Sequence, residues 1–414
     1  MRAALTVVTS SALAALLLGL GACSSDPAAT GDDDNDAGPI IRDDGGVIIT
    51  PDAAPAAPLL ADGVRIRDIA LFQTVKQPLV TAGQPAATPA VPVLPGRGGA
   101  MRIYVDALPA PRTVTAELTV GGRSFTSAGT LSAASSDAVP ASVLSIPITP
   151  DAFTAGARWS VRLTAADGVA IPTGSASDAR YPRDGSDLDL GVAAPTTLRI
   201  VLVPVRYDTD GSGRLPDTSP TQLERYRALL TALYPLSTVE FTVHAPLPWS
   251  TSLNISGDVR FGSINDALID LRAAENAPRA TYYYGLVAPA VNFGTYCGNG
   301  CVSGQSYVIT TPSNSSTRVG SGLGFAGERS AWTMAHEVGH IHGRSHAPCG
   351  VSSFDASYPY LNGVTGVWGF DSRSGTFIAP TATDFMGYCD EEWISDYTYA
   401  ALYQRMRALE ALTP

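Results

Sequence analysis

Four of the five histidines in this 414-residue chain fall within the eleven positions His336-Glu337-Val338-Gly339-His340-Ile341-His342-Gly343-Arg344-Ser345-His346. That spacing dictates a helix followed by a sharp turn. At 100° per residue, His336 and His340 project from one helix face. Two imidazoles there can hold one metal ion at about 2.0–2.1 Å. Gly343 ends the helix, because glycine takes a left-handed backbone without penalty, and His346 can then swing back as the third ligand. Three neutral imidazoles leave a zinc ion its full charge and one open position, which lowers the pKa of bound water toward about 7. Glu337, beside the first ligand, is placed to accept that water's proton. His342 falls between the ligand positions and is expected to face solvent or to support the ligands from behind.

The pattern H-E-x-x-H-x-x-G-x-x-H resembles the metzincin zinc metallopeptidases at every defined position. Beyond His346, Asp384-Phe385-Met386-Gly387-Tyr388 resembles the Met-turn of that family. The resemblance makes Met386 the floor of the site. It makes Tyr388 a stabiliser of the oxyanion, as in the astacin and serralysin branches; a phenol can donate a hydrogen bond to a tetrahedral intermediate. It covers Thr197 to Pro414 and implies an α+β catalytic domain, a mixed sheet with an active-site helix and a C-terminal helix. The implied activity is a zinc endopeptidase with protein or glycoprotein substrates. Cys297, Cys301, Cys349 and Cys389 allow three pairings. Because the segments carrying Cys349 and Cys389 must meet at the zinc if the resemblance holds, Cys349–Cys389 is preferred, with Cys297–Cys301 closing a small loop. A second metal site is the rival use of these thiols, disfavoured by an exported chain.

Export is read from the other end. Arg2 precedes an apolar run, Ala3 to Ala22, that ends in Leu20-Gly21-Ala22-Cys23. This resembles the lipobox of bacterial lipoproteins, with residues 1–22 a signal peptide and Cys23 the lipidated residue. Ser24 after it weakly favours the outer membrane or cell surface of a bacterial envelope. Residues 23–60, with the run Asp32-Asp33-Asp34-Asn35-Asp36, are too polar to form a core and read as a tether. A calcium site in that run has nothing to fix its geometry. No other segment approaches the ~20 apolar residues of a membrane span, so contact with a membrane is expected through the lipid only.

Two folded blocks follow. Residues 61–195 alternate apolar and polar positions, as in Thr113–Val120 and Arg158–Thr164, with tight turns at Gly121-Gly122 and Asp167-Gly168. This block is expected to be an all-β sandwich of immunoglobulin-like type. From residue 197 strands and helices alternate: strands at Leu198–Tyr207, Val239–His244 and Thr281–Val287, an edge strand at Ser306–Thr310, and helices at Ser219–Tyr234, Ile264–Ala274, Glu328–Ile341 and Tyr397–Leu412, the last with Asp396 as N-cap. Asp208-Thr209-Asp210-Gly211-Ser212-Gly213 begins like a calcium loop. Its twelfth position is Ser219, where a bidentate glutamate is required, so it reads as a turn. The aromatic-rich span from Phe354 to Phe370 is expected to wall the substrate cleft, with Tyr358, Tyr360, Trp368 and Phe370 as the candidates; membership of the core is the alternative for them.

The charge balance, 27 basic against 38 acidic residues and a net −11, excludes nucleic acid as the main partner, since phosphate binding needs a basic face. A monomer is expected. The alternative to a peptidase is a non-catalytic, zinc-containing surface adhesin, and Glu337 argues against it because a structural zinc site has no use for that residue.

Overall fold

The computed structural model describes residues 60–412 apart from 62, 166–175, 254–260 and 299. The lipobox with Cys23, the tether and the Asp167-Gly168 turn therefore lie outside the described residues. What is described is a mixed α+β structure in which sheets dominate, and none of its helices is long and apolar enough to cross a membrane.

The first body is two antiparallel sheets over one core. Its strands are β1 (Ile66–Thr81), β2 (Gly99–Val105), β3 (Arg112–Val120), β4 (Arg123–Leu131), β5 (Leu144–Ile148) and β6 (Arg158–Ala165). β3 shows the cause: Val114, Ala116, Leu118 and Val120 are buried while the residues between them face outward, the period-2 pattern of a half-buried strand. β4, β3 and β6 form one sheet and β1, β2 and β5 the other. Ile69, Leu71, Ile103, Leu118, Ile146 and Leu163 meet between them.

The second body is a six-strand sheet with helices on both faces, five strands on one path and the short sixth, Leu247–Trp249, pairing off it with Val205–Tyr207. In chain order it comprises β7 (Thr197–Tyr207), α1 (Pro220–Leu233), β8 (Thr238–Val243), α2 (Phe261–Ala274), β9 (Thr281–Val287), α3 (Phe293–Cys297), β10 (Gly304–Ser306), β11 (Val319–Leu323) and α4 (Glu328–Ile341). The spatial order is β8-β7-β9-β11-β10, parallel except for the antiparallel edge strand β10. α1 and α4 pack on one face, and α2 packs on the other against Val203, Val205, Val319 and Leu323. The edge strand lies two residues earlier than the alternation in Ser306–Thr310 suggests, because Ile309 instead donates its N–H to the His340 carbonyl at 3.2 Å. The final helix, α5 (Asp396–Glu410), is capped by Ser395, whose side chain accepts from the Thr398 N–H. Asp396 is its first residue and not the cap, a one-residue correction.

The two bodies share material. Strands β12 (Gly369–Asp371) and β13 (Thr376–Ile378), which follow α4 in the chain, extend the sheet of the first body: Thr74 and Val75 of β1 pair with Phe370 and Gly369. In return Val75, Val91 and Leu94 lie in the core formed with α1, α4 and α5. Each such side chain contributes roughly 1.5–3 kcal/mol on burial. Arg97 is buried at this seam and donates to the Tyr234 carbonyl at 2.7 Å and to Thr74 Oγ1.

Candidate metal centre

α4 carries the site and is held at both ends. At its start Gly327 takes φ 115°, and Gln222 of α1 accepts its N–H at 2.8 Å and donates to its carbonyl at 3.1 Å. At its end Gly343 adopts φ 85°, with Gly343 N–H to His340 O at 2.7 Å and Arg344 N–H to Gly339 O at 3.0 Å. That pair of bonds is the Schellman termination. A Cβ on Gly343 would also meet the Ile309 carbonyl at 2.6 Å, so glycine is required twice over.

The turn brings His346 back. Its Nε2 lies 3.1 Å from that of His340, which lies 3.1 Å from that of His336. These are not hydrogen bonds. The Nδ1 of His336 donates to the Phe385 carbonyl at 2.8 Å and that of His340 to the Arg344 carbonyl at 2.6 Å, so the facing Nε2 atoms carry lone pairs. Two ligands of a tetrahedral ion at about 2.0–2.1 Å stand about 3.3 Å apart. His336, His340 and His346 are the one group of metal-ligating residues found among the described residues. Burial lowers His336 to about 4 and His340 to about 3, and lowers His346 as well. All three imidazoles are thus neutral donors at pH 7, and the set fits a divalent ion of zinc's preference.

Glu337 is 6 % exposed. Burial raises its carboxyl to about 7, opposed by the Ser306 hydroxyl, which donates to Oε2 at 2.6 Å. The carboxylate opens onto two adjoining hollows: one of about 550 Å³ toward Ser306, His340, His346 and Phe354, and one of about 310 Å³ toward Trp332, His336 and Glu392. Tyr388 lines both and is 63 % exposed; its ring centroid stands 4.8 Å from that of His346 and 5.5 Å from that of His336.

The floor arrives from far along the chain. Met386 is buried against α4, and a Cβ on Gly339 would lie 2.4 Å from its Sδ, which explains the glycine between the two helical histidines. Ala347 N–H donates to the Met386 carbonyl at 3.0 Å and Tyr388 N–H to the Cys349 carbonyl at 2.8 Å. Cys349 and Cys389 are bonded, 40 positions apart, and Cys297 is bonded to Cys301. Sequence reading missed Asp384, which is fully buried. Its Oδ1 accepts from Met386 N–H at 2.9 Å, and its Oδ2 accepts from the Ser395 hydroxyl at 2.6 Å and from Ser395 N–H at 3.0 Å. It also missed Ser306 and the Arg344–Asp355 pair at 3.0 Å that steadies the carbonyl holding His340. A buried carboxylate has no periodicity to betray it.

The solvent-facing reading of His342 and the cleft-wall reading of the four aromatics are both overturned. His342 is a core residue, 2 % exposed, stacked on Tyr282 with centroids 4.8 Å apart. Its Nδ1 donates to the Val338 carbonyl at 2.8 Å and its Nε2 accepts from the Tyr282 hydroxyl at 3.2 Å; burial lowers it to about 3. The four aromatics do not wall the cleft. Tyr358 and Tyr360 hydrogen-bond Asp384 and Asp396, and Trp368 and Phe370 pack on Phe72 and Tyr104 of the first body. Phe354 alone of that span lines the larger hollow. The Asp208–Gly213 segment is a turn whose carboxylates accept from the Ser212 and Gly213 N–H groups of the loop itself.

Residues 297–396, about a quarter of the chain, match the family model for Peptidase M66, a zinc metallopeptidase family. The matched stretch contains the histidine group, Glu337, Met386, Tyr388 and both cystines. No curated protein matches the chain.

Proposed function

We propose that this chain is a zinc-dependent endopeptidase of metzincin type, acting on proteins or glycoproteins outside the cell. One observation carries the reading: three imidazole nitrogens converge beside a buried glutamate at the bottom of an open cleft. A structural metal site gains nothing from a carboxylate desolvated next to it. The match to Peptidase M66 over the same residues supports it.

His336, His340 and His346 would hold the ion, which when bound supplies Lewis-acid polarisation of the scissile carbonyl and of the attacking water. Glu337 takes the water's proton as the new C–O bond forms and returns it to the amine nitrogen as the C–N bond breaks. Tyr388, exposed above the histidines, donates its hydroxyl proton in a hydrogen bond to the oxygen of the tetrahedral intermediate. Asp384–Tyr388 serves as the Met-turn, its Phe385 carbonyl fixing the tautomer of His336. We further propose that Cys23 carries lipid and anchors the protein to a bacterial envelope, on the outer membrane or cell surface.

The test is digestion of a broad peptide library by the chain from Ala61 onward, with and without a chelator, beside mass spectrometry of the mature N-terminus. Chelator-sensitive cleavage and a lipidated Cys23 are expected. Cleavage indifferent to the chelator sinks the zinc reading, and zinc binding without any cleavage favours the adhesin.

A further inference from the structure

Glu337 is held from the sheet, not from its own helix. Ser306 of β10 reaches across with its Oγ 2.6 Å from Glu337 Oε2 and 2.9 Å from the Glu337 carbonyl oxygen. A hydroxyl has one proton to give, and the ionised carboxylate is both the nearer and the stronger acceptor. Among the described residues Ser306 is the one side chain that hydrogen-bonds this carboxylate.

Glycines make the reach possible. A Cβ on Gly304 would lie 2.8 Å from Glu337 Cγ and Oε1, and one on Gly320 would lie 2.9 Å from Ser306 Cβ. β10 and β11 therefore approach α4 closely at Gly304 and Gly320, where a Cβ would clash, and the Ser306 hydroxyl meets the Glu337 carboxylate beside that contact.

The same strand has a free edge. Leu323 N–H donates to the Ser303 carbonyl at 2.8 Å, and Gln305 faces Ser321. In an antiparallel ladder, hydrogen-bonded pairs alternate with non-bonded ones. The backbone groups of Gly304 and Ser306 consequently point away from β11, into the cleft.

We propose that Ser306 is a positioning residue that sets the aim of Glu337. Its hydroxyl fixes one oxygen of the base and leaves the other for the water. The proposal rests on the peptidase reading above. It acts through Glu337, so removing the hydroxyl should slow the chemical step and leave affinity intact.

The experiment compares the intact chain with Ser306→Ala, Glu337→Gln and the double variant, on a peptide that the wild type cleaves. Bound zinc and the thermal midpoint are measured alongside. For Ser306→Ala we expect kcat to fall about ten- to a hundredfold, the effect of losing a hydrogen bond to a charged group that orients a reacting one. KM, zinc content and the midpoint should stay near wild type. The double variant should be no slower than Glu337→Gln, because without the base there is nothing to aim. Unchanged kcat in Ser306→Ala, a loss explained by released zinc or a lowered midpoint, or additive losses in the double variant would each overturn the proposal. A wild-type chain that cleaves no peptide overturns the peptidase reading itself, and this proposal with it.

Discussion

The histidine helix and the floor beneath it are built by opposite means. From His336 to His346 the ligands are placed mostly by local geometry: one helix face, one Schellman turn, and for His340 a carbonyl contact four positions on, with only the orientation of His336 fixed from the floor by the Phe385 carbonyl. The floor, residues 383–393, has almost no local logic. It is strung between Asp384, the Cys349–Cys389 bond and Trp393, whose Nε1 donates at 2.9 Å to the carbonyl of Thr74, 319 positions earlier. The chain linking helix to floor also detours through the first body as β12 and β13. The contrast teaches that the ligands can form anywhere a helix can, whereas the site as a whole needs the first body.

The sharpest way to break that contrast is truncation. A chain starting at Thr197 loses the partner strand of β12 and the acceptor of Trp393, and we expect it to have no cooperative thermal transition and no activity. A sharp, reversible melt with wild-type turnover would show that the floor stands on its own.

Within the intact chain, the ligand side separates from the chemistry. His340→Ala should lose zinc and all turnover, because two ligands hold the ion poorly at a site built for three. Glu337→Gln should keep zinc by elemental analysis while hydrolysis falls about 10²–10⁴-fold, the span of general-base catalysis. Equal rates for Glu337→Gln and wild type would remove the proton shuttle.

The two cystines offer a finer comparison. Opening Cys349–Cys389 by serine substitution should cost about 4 kcal/mol from its long loop, against about 2 kcal/mol for Cys297–Cys301. Denaturant titration measures both, and a reversed order would mean that the floor gains little from its crosslink. Of the same size, His342→Ala empties a stacked core position and orphans the Tyr282 hydroxyl, costing about 2–4 kcal/mol while zinc stays bound. A neutral effect would contradict its place in the core.

These differences track what could be read from the sequence. The ligands, Glu337, and the helices from Pro220 and from Glu328 follow from spacing, caps and periodicity, all local quantities. β11 was missed because Val319-Gly-Ser-Gly-Leu323 shows too little apolar character, yet Gly320 and Gly322 are small because α4 lies on them. His342 was misread because helix position says which face a side chain takes but not that Tyr282 is waiting there. Asp384 stands inside the quoted Met-turn residues, but its role, like that of Ser306, lies in contacts between segments that no local pattern shows.

The detour through β12 and β13 has a further consequence for a chain made from its N-terminus. When β1 and β2 have emerged and paired, the stretch of β1 at Thr74 and Val75 still lacks the strand that will cover it. Phe370 has yet to be synthesised, and with it the whole of the histidine helix and floor. An open strand edge invites pairing with another chain, and this one stays open until Gly369 and Phe370 arrive. The sheet of the first body and the floor of the metal centre thus depend on one stretch of chain, which runs through Gly369–Ile378 on its way from α4 to Met386.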